Sequence, residues 1–228
     1  SYAYVADRFN GLVVVDTSNP TDPTYAGDYG TADFAYDVAV SGPYAYVADG
    51  LNGLVVVDVS DPANPTRAGG YDTAGSASGV VVSGSYAYVA DGSNGLVVVD
   101  ISDPANPTRA GGYYTAGSAS GVAVSGSYAY VADGSNGLVV VGISDPANPT
   151  YAGAYDTASR AWDVAVSGSY AYVADDNNGL VVVDISDPAN PTYAGDYNTA
   201  GSAPGVAVLG SYAYVADRFN GLVVVDTS

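Results

Sequence analysis

Asp37 and Asp163 are the carboxylates whose neighbours could do chemistry. Phe34 and Tyr36 precede the first, and Arg160 and Trp162 precede the second. The two clusters occupy equivalent places in a repeated sequence. An aromatic face that can stack on a ring, a charge and a carboxylate are the parts of a glycan or small-ligand site. Asp176, in a neighbouring variable loop, joins the candidate set. Glycoside hydrolysis would need two carboxyl groups about 5–10 Å apart, one of them acting as proton donor. The chain has no Glu to share that work, so Asp would have to fill both roles. The absence of His rules out a Ser-His-Asp arrangement, and the absence of Cys rules out thiol catalysis, zinc thiolates and disulfides. No catalytic residue is therefore assigned, and the chain is not expected to be an enzyme. The competing role for Tyr36 and Trp162 is to fill space between packed elements.

Other aspartates recur without variation. Asp7, Asp49, Asp91, Asp133, Asp175 and Asp217 each close a strand just before a turn. Asp side chains bond nearby backbone in such places, so a structural role is expected over metal binding. Asp16, Asp58, Asp100, Asp184 and Asp226 end a "VVVD" run, and Gly142 replaces them once. The "DPANP" loops lack the run of oxygen ligands of a calcium-binding loop. No cofactor is expected, and calcium is the one ion that the Asp-rich turns leave open.

All 24 acids are Asp and all 5 bases are Arg, giving a net charge of −19. Such a surface repels nucleic acid and anionic membranes, whose binding needs Lys and Arg. No apolar run approaches the roughly 20 residues of a spanning helix. Abundant Tyr, Thr, Asn and Gly without Cys suit an extracellular or cell-surface protein. The absence of Met marks the chain as a processed form or an excerpt.

The elements that must position these residues follow from one period. "YAYVAD" begins at Tyr2, Tyr44, Tyr86, Tyr128, Tyr170 and Tyr212, every 42 residues. It alternates large and small side chains, the pattern of a strand. An Asn-Gly turn leads into "LVVVD", apolar on both faces and so a strand covered from two sides. "DPANP" is a loop, and "TRAGGY" a looser outer strand. "VAV", before a Ser-Gly turn, supplies the inner strand. Four strands per repeat, lettered a to d outward, make an all-β chain. The repeat length fits a blade of a β-propeller. "GLVVVDISDPANPT" and "GVAVSGSYAYVAD" resemble the LVIVD-repeat family of bacterial and archaeal surface proteins. That resemblance covers the whole chain. It implies a propeller and a cell-surface setting, and it carries no catalytic residues.

Residues 1–18 and 211–228 are the same eighteen letters. Strands a and d occur five times, but b and c occur six times. The expectation is a single five-bladed propeller over 1–228, with the identical hairpins 1–18 and 211–228 at the ring seam. Six blades, one lacking an inner and one an outer strand, are the alternative. One hairpin is then surplus. Tyr2, Tyr4, Arg8 and Phe9, with Tyr212, Tyr214, Arg218 and Phe219, become candidate assembly residues. The surplus copy could be displaced, or complete a neighbouring molecule, or mark a window cut from a longer array. Self-association into a filament is therefore the expected function. Binding of a glycan or small ligand by the variable loops is the alternative.

Overall fold

The computed structural model describes residues 1–228 and is all β. The first repeat forms β1 (Tyr2–Asp7), β2 (Gly11–Asp16) and β3 (Thr24–Tyr29). The second forms β4 (Asp37–Ser41), β5 (Tyr44–Ala48), β6 (Leu54–Asp58) and β7 (Thr66–Tyr71). The third forms β8 (Gly79–Ser83), β9 (Tyr86–Ala90), β10 (Leu96–Asp100) and β11 (Thr108–Tyr113). The fourth forms β12 (Gly121–Ser125), β13 (Tyr128–Ala132), β14 (Leu138–Gly142) and β15 (Thr150–Tyr155). The fifth forms β16 (Asp163–Ser167), β17 (Tyr170–Ala174), β18 (Leu180–Asp184) and β19 (Thr192–Tyr197). The last forms β20 (Gly205–Leu209), β21 (Tyr212–Asp217) and β22 (Gly221–Asp226). No helix is long and apolar enough to cross a membrane.

These strands make six sheets, four of four strands and two of three, in simple a-b-c-d order. They are the blades of a β-propeller. The expected count of five is corrected to six. Neither terminal hairpin is surplus: β1 pairs with β2 and β2 with β3, while β20 pairs with β21 and β21 with β22. The reason is loop closure. Each hairpin joins the strand that follows or precedes it through a short turn. A shared blade would instead require pairing residues about 200 positions apart, at a higher closure entropy. The first sheet thus lacks an inner strand, and the last lacks an outer one.

Contacts divide the chain into two compact units. One is Ser1–Gly92 with Val97–Gly111, and the other is Ser93–Leu96 with Gly112–Ser228. The packing rule is the same in both. In the first, Tyr46, Ala48, Leu54 and Val56 on one face of a sheet pack against Val80, Ala87, Val89, Val97 and Val99 on the next. In the second, Tyr130, Ala132, Leu138 and Val140 pack against Val164, Ala171, Val173, Val181 and Val183. The apolar "LVVV" runs of β6 and β14 are buried on both faces, as their sequence predicts. Close packing has one further demand. The register of strand d against strand c shifts by one residue between Val56 and Val57, and likewise between Val140 and Val141. A glycine follows, and the c–d loop of the next sheet lies against it. A Cβ on Gly69 would sit 2.3 Å from the Pro104 carbonyl oxygen, and one on Gly153 would sit 2.5 Å from that of Pro188. Only hydrogen fits there.

Candidate functional site

The recurrent aspartates are structural in their contacts. Asp49, Asp91, Asp133 and Asp175 are buried. Each accepts a hydrogen bond from a threonine hydroxyl 18 residues earlier: Thr31, Thr73, Thr115 and Thr157. Asp133 also accepts from the Gly117 amide at 2.9 Å and the Asn136 side chain at 2.9 Å. The carboxylate therefore ties the entering d–a loop to the b–c turn. Burial pushes the Asp175 carboxyl up, and the donors of Thr157 and Asn178 oppose that shift. The threonine partner was legible in the sequence, since Thr recurs at the same 42-residue period. No group of three or more acidic side chains converges as a metal cluster.

Asp37 and Asp163 are not free acids facing solvent. Asp37 accepts from the Val38 amide at 2.8 Å and, across to the next sheet, from the Val80 amide at 2.8 Å. Asp163 does the same with Val164 at 2.8 Å and Val206 at 3.0 Å. Each staples its strand a to the strand a of the following sheet. Burial holds the Asp37 carboxyl above its ordinary range, against the pull of the two amides. In the sheet before Asp163 the equivalent residue is Gly121, and the two strands approach closely there. A Cβ on Gly121 would lie 2.8 Å from Asp163 Cα.

The aromatic candidates form a cluster within each unit. In the first, Arg8 lies 4.9 Å from the Phe34 ring centre, 5.5 Å from Tyr36 and 5.9 Å from Phe9. Phe9 meets Phe34 edge to face at 5.4 Å. Residues read from the sequence as seam (Arg8, Phe9) and as ligand site (Phe34, Tyr36) are thus one cluster. In the second unit, Arg160 stacks over Trp162 at 4.0 Å, with Arg218 at 5.9 Å. The guanidinium lies over the indole ring, a cation–π contact worth about 0.5–1 kcal/mol at an exposed site. The indole Nε1 of Trp162 is buried without a partner. A recess of about 550 Å³ lies beside Arg160, lined by Ser118, Ser135 and Asp156.

Asp176 is a backbone feature. It takes a positive φ of 46°, where Gly50 and Gly134 take 53° and 60°. It bridges to Ala203, and its carboxylate accepts from the Ser202 hydroxyl at 2.6 Å. Arg8 and Arg218 stand at the equivalent place in the terminal hairpins and avoid positive φ. The strands there run six residues instead of five. The sequence "DRFN" thus marks a different turn.

The remaining seam residues show where coverage ends. Tyr4 packs with Leu12 and Ala6 against Ala45 and Val47. Tyr2, on the edge strand β1, and Tyr212, at the start of the central strand β21, are exposed, and Tyr214 is half-buried. Phe219 is 81% exposed. In the last sheet one face is covered, with Ala213 and Val215 packed under Ala174 and Leu180. The other face is bare. Leu222 is 66% exposed, whereas the five equivalent leucines from Leu12 to Leu180 are at most 1% exposed. A second uncovered feature is a groove of about 400 Å³ beside Gly195, lined also by Leu180, Val182, Tyr197 and Ser228.

A family model described as the LVIVD repeat matches residues 1–31, 34–73, 74–115, 116–157, 158–199 and 200–228. No curated protein matches. Among solved structures, the chain is similar to the computationally designed Ika8 protein, with a TM-score of 0.72 at 10% identity, covering 99% of this chain and 67% of that one. It is also similar to a functionally unknown protein from Desulfotomaculum acetoxidans, with a TM-score of 0.76 at 17% identity, covering 98% and 81%. At such identities these likenesses speak to the propeller fold alone.

Proposed function

The chain belongs to the LVIVD-repeat family, and from that premise we propose that it is a non-enzymatic module of the cell surface that associates with copies of itself. The observation that carries this reading is the bare face of the last hairpin. Leu222 and Val224 are 66% and 52% exposed on a strand whose sequence is buried elsewhere in the chain. Hairpin 211–228 is held on one face only, and its identical twin begins the chain. An identical element can be exchanged between molecules at little cost in contacts. Because donor and acceptor ends differ, each joint leaves a free end of each kind, so association grows into an open chain. The aspartates support the non-enzymatic reading, since both members of the candidate pair hold backbone amides. Light scattering across a concentration series tests the proposal. Mass should grow with concentration. It should also grow with salt, because a net charge of −19 repels like copies and salt screens it within about 10 Å at 0.1 M. A constant monomer mass at all concentrations and salts would overturn it.

A second reading, glycan or small-ligand binding, draws on the recess beside Arg160 and the unpartnered Trp162 Nε1. Trp162→Ala should then abolish binding on a glycan array, and unchanged binding would remove this reading.

A further inference from the structure

Gly195 has no reason to be glycine within the folded chain. Its counterparts Gly27, Gly69 and Gly153 are each pressed by a proline-containing c–d loop of the next sheet. A Cβ would meet the Pro62, Pro104 or Pro188 carbonyl oxygen at 2.3–2.6 Å. Around Gly195 a Cβ would meet nothing within 4 Å, and the groove beside it is open. Its φ is not positive, so backbone geometry does not require glycine either. In every pressed case the partner is the proline 35 positions further on. By the 42-residue period, the equivalent proline of the first repeat is Pro20.

The loop around Pro20 is the complementary orphan. Asn19 to Pro23 is exposed throughout. It is already folded as the other c–d loops are. The Asp22 amide donates to the Asn19 carbonyl at 3.1 Å and the Thr21 amide to Asn19 Oδ1 at 3.3 Å. In the second repeat the Asn64 amide donates to the Asp61 carbonyl at 3.0 Å and the Ala63 amide to Asp61 Oδ1 at 3.1 Å. The groove beside Gly195 is open, and the Asn19–Pro23 loop is exposed and shaped like the loops that fill the equivalent grooves.

We propose that the groove beside Gly195 is the docking site for the Asn19–Pro23 loop of a second copy, delivered by exchange of the terminal hairpins. Strands β1 and β2 of the incoming copy take the place of β21 and β22 against β20. The eighteen residues are identical, so every contact of the displaced hairpin on β20 and on the β16–β19 sheet is reproduced. Two things are gained. The three-stranded sheet acquires β3 as its outer strand, and the loop fills the groove. The composite sheet is then covered on both faces, because β1 and β2 bring their own packing against the β4–β7 sheet. The copies join head to tail. This rests on the self-association reading above and specifies its contact.

Gly195→Val tests it, with Gly153→Val as the control. Valine suits a strand, and the open space at Gly195 leaves the single chain unstrained. The expected result is that the wild type assembles by light scattering, Gly195→Val stays monomeric, and its melting temperature as a dilute monomer matches wild type. Gly153→Val, clashing inside the fold, should melt lower. If Gly195→Val assembles as well as wild type, the groove is not the joint, while self-association stands. If dilute Gly195→Val melts lower than wild type, the groove is filled within one chain and the second copy is excluded. A wild type that stays monomeric overturns this proposal together with the reading it rests on.

Discussion

Replacing Leu138 and Leu222 by alanine should have opposite outcomes, although the two residues hold the same place in the repeat. Leu138 is fully buried between Tyr130, Ala132, Val140 and the following sheet. Truncating it removes the transfer energy of the lost methyl groups and leaves a cavity, together about 2–5 kcal/mol. For a chain of this length each kcal/mol lowers the melting temperature by about 2–4 °C, so Leu138→Ala should fall by roughly 4–20 °C. Leu222 is 66% exposed, and a substitution there should stay within about 0.5 kcal/mol, or at most about 2 °C. Circular dichroism melts of both variants answer this, at a concentration where light scattering shows monomer. Equal losses would mean that the Leu222 face is covered within the single chain, which would undo the reasoning on the terminal hairpin. An unperturbed Leu138→Ala would contradict the inter-sheet core itself.

Thr115→Val keeps the shape of the side chain but removes the hydroxyl that donates to buried Asp133. A bond to a charged group is worth about 1.5–3 kcal/mol, and chemical denaturation should show a loss of that size. Asp37 gives a pH test. Its folded-state pKa is raised by burial, so its contribution to stability is fully present below 3.8 and is lost as pH rises through the raised value. The melting temperature of Asp37→Asn relative to wild type should therefore climb as pH rises above 3.8, and a falling difference would refute the buried staple. Asp58, Asp100 and Asp184 shift the other way, held low by hydrogen bonds from Ser60, Ser102 and Ser186. Their contribution is present above pH 3.8 and is lost as pH falls below it. The gap between wild type and the triple Asp→Asn variant should close in acid, and a gap that widens there would contradict these turns.

Much of the fold was legible because its causes are local. The alternation in "YAYVAD", the double-faced "LVVV" and the Asn-Gly and Ser-Gly turns each specify a strand or hairpin within a dozen residues. The structural role expected for Asp49 and its equivalents was also readable, and the threonine partners shared their period. The candidate site was less legible. The sequence marked Asp37 and Asp163 as variable among repeats, and variability looks alike whether it serves a ligand or a neighbouring strand. Only the packed sheets show that the carboxylates reach the Val80 and Val206 amides. Likewise Arg8 and Phe34 are 26 residues apart in sequence, and their stacking depends on where two loops end up.

The sequence by itself determined the period, the strand order, the turns and the existence of two interchangeable hairpins. Tertiary structure alone decided where those hairpins lie. Leu12 and Leu222 sit in identical sequence, yet one is buried and the other exposed. Strand formation depends on the residues of the hairpin, which are the same. Burial depends on what stands opposite, and only one copy has a sheet there.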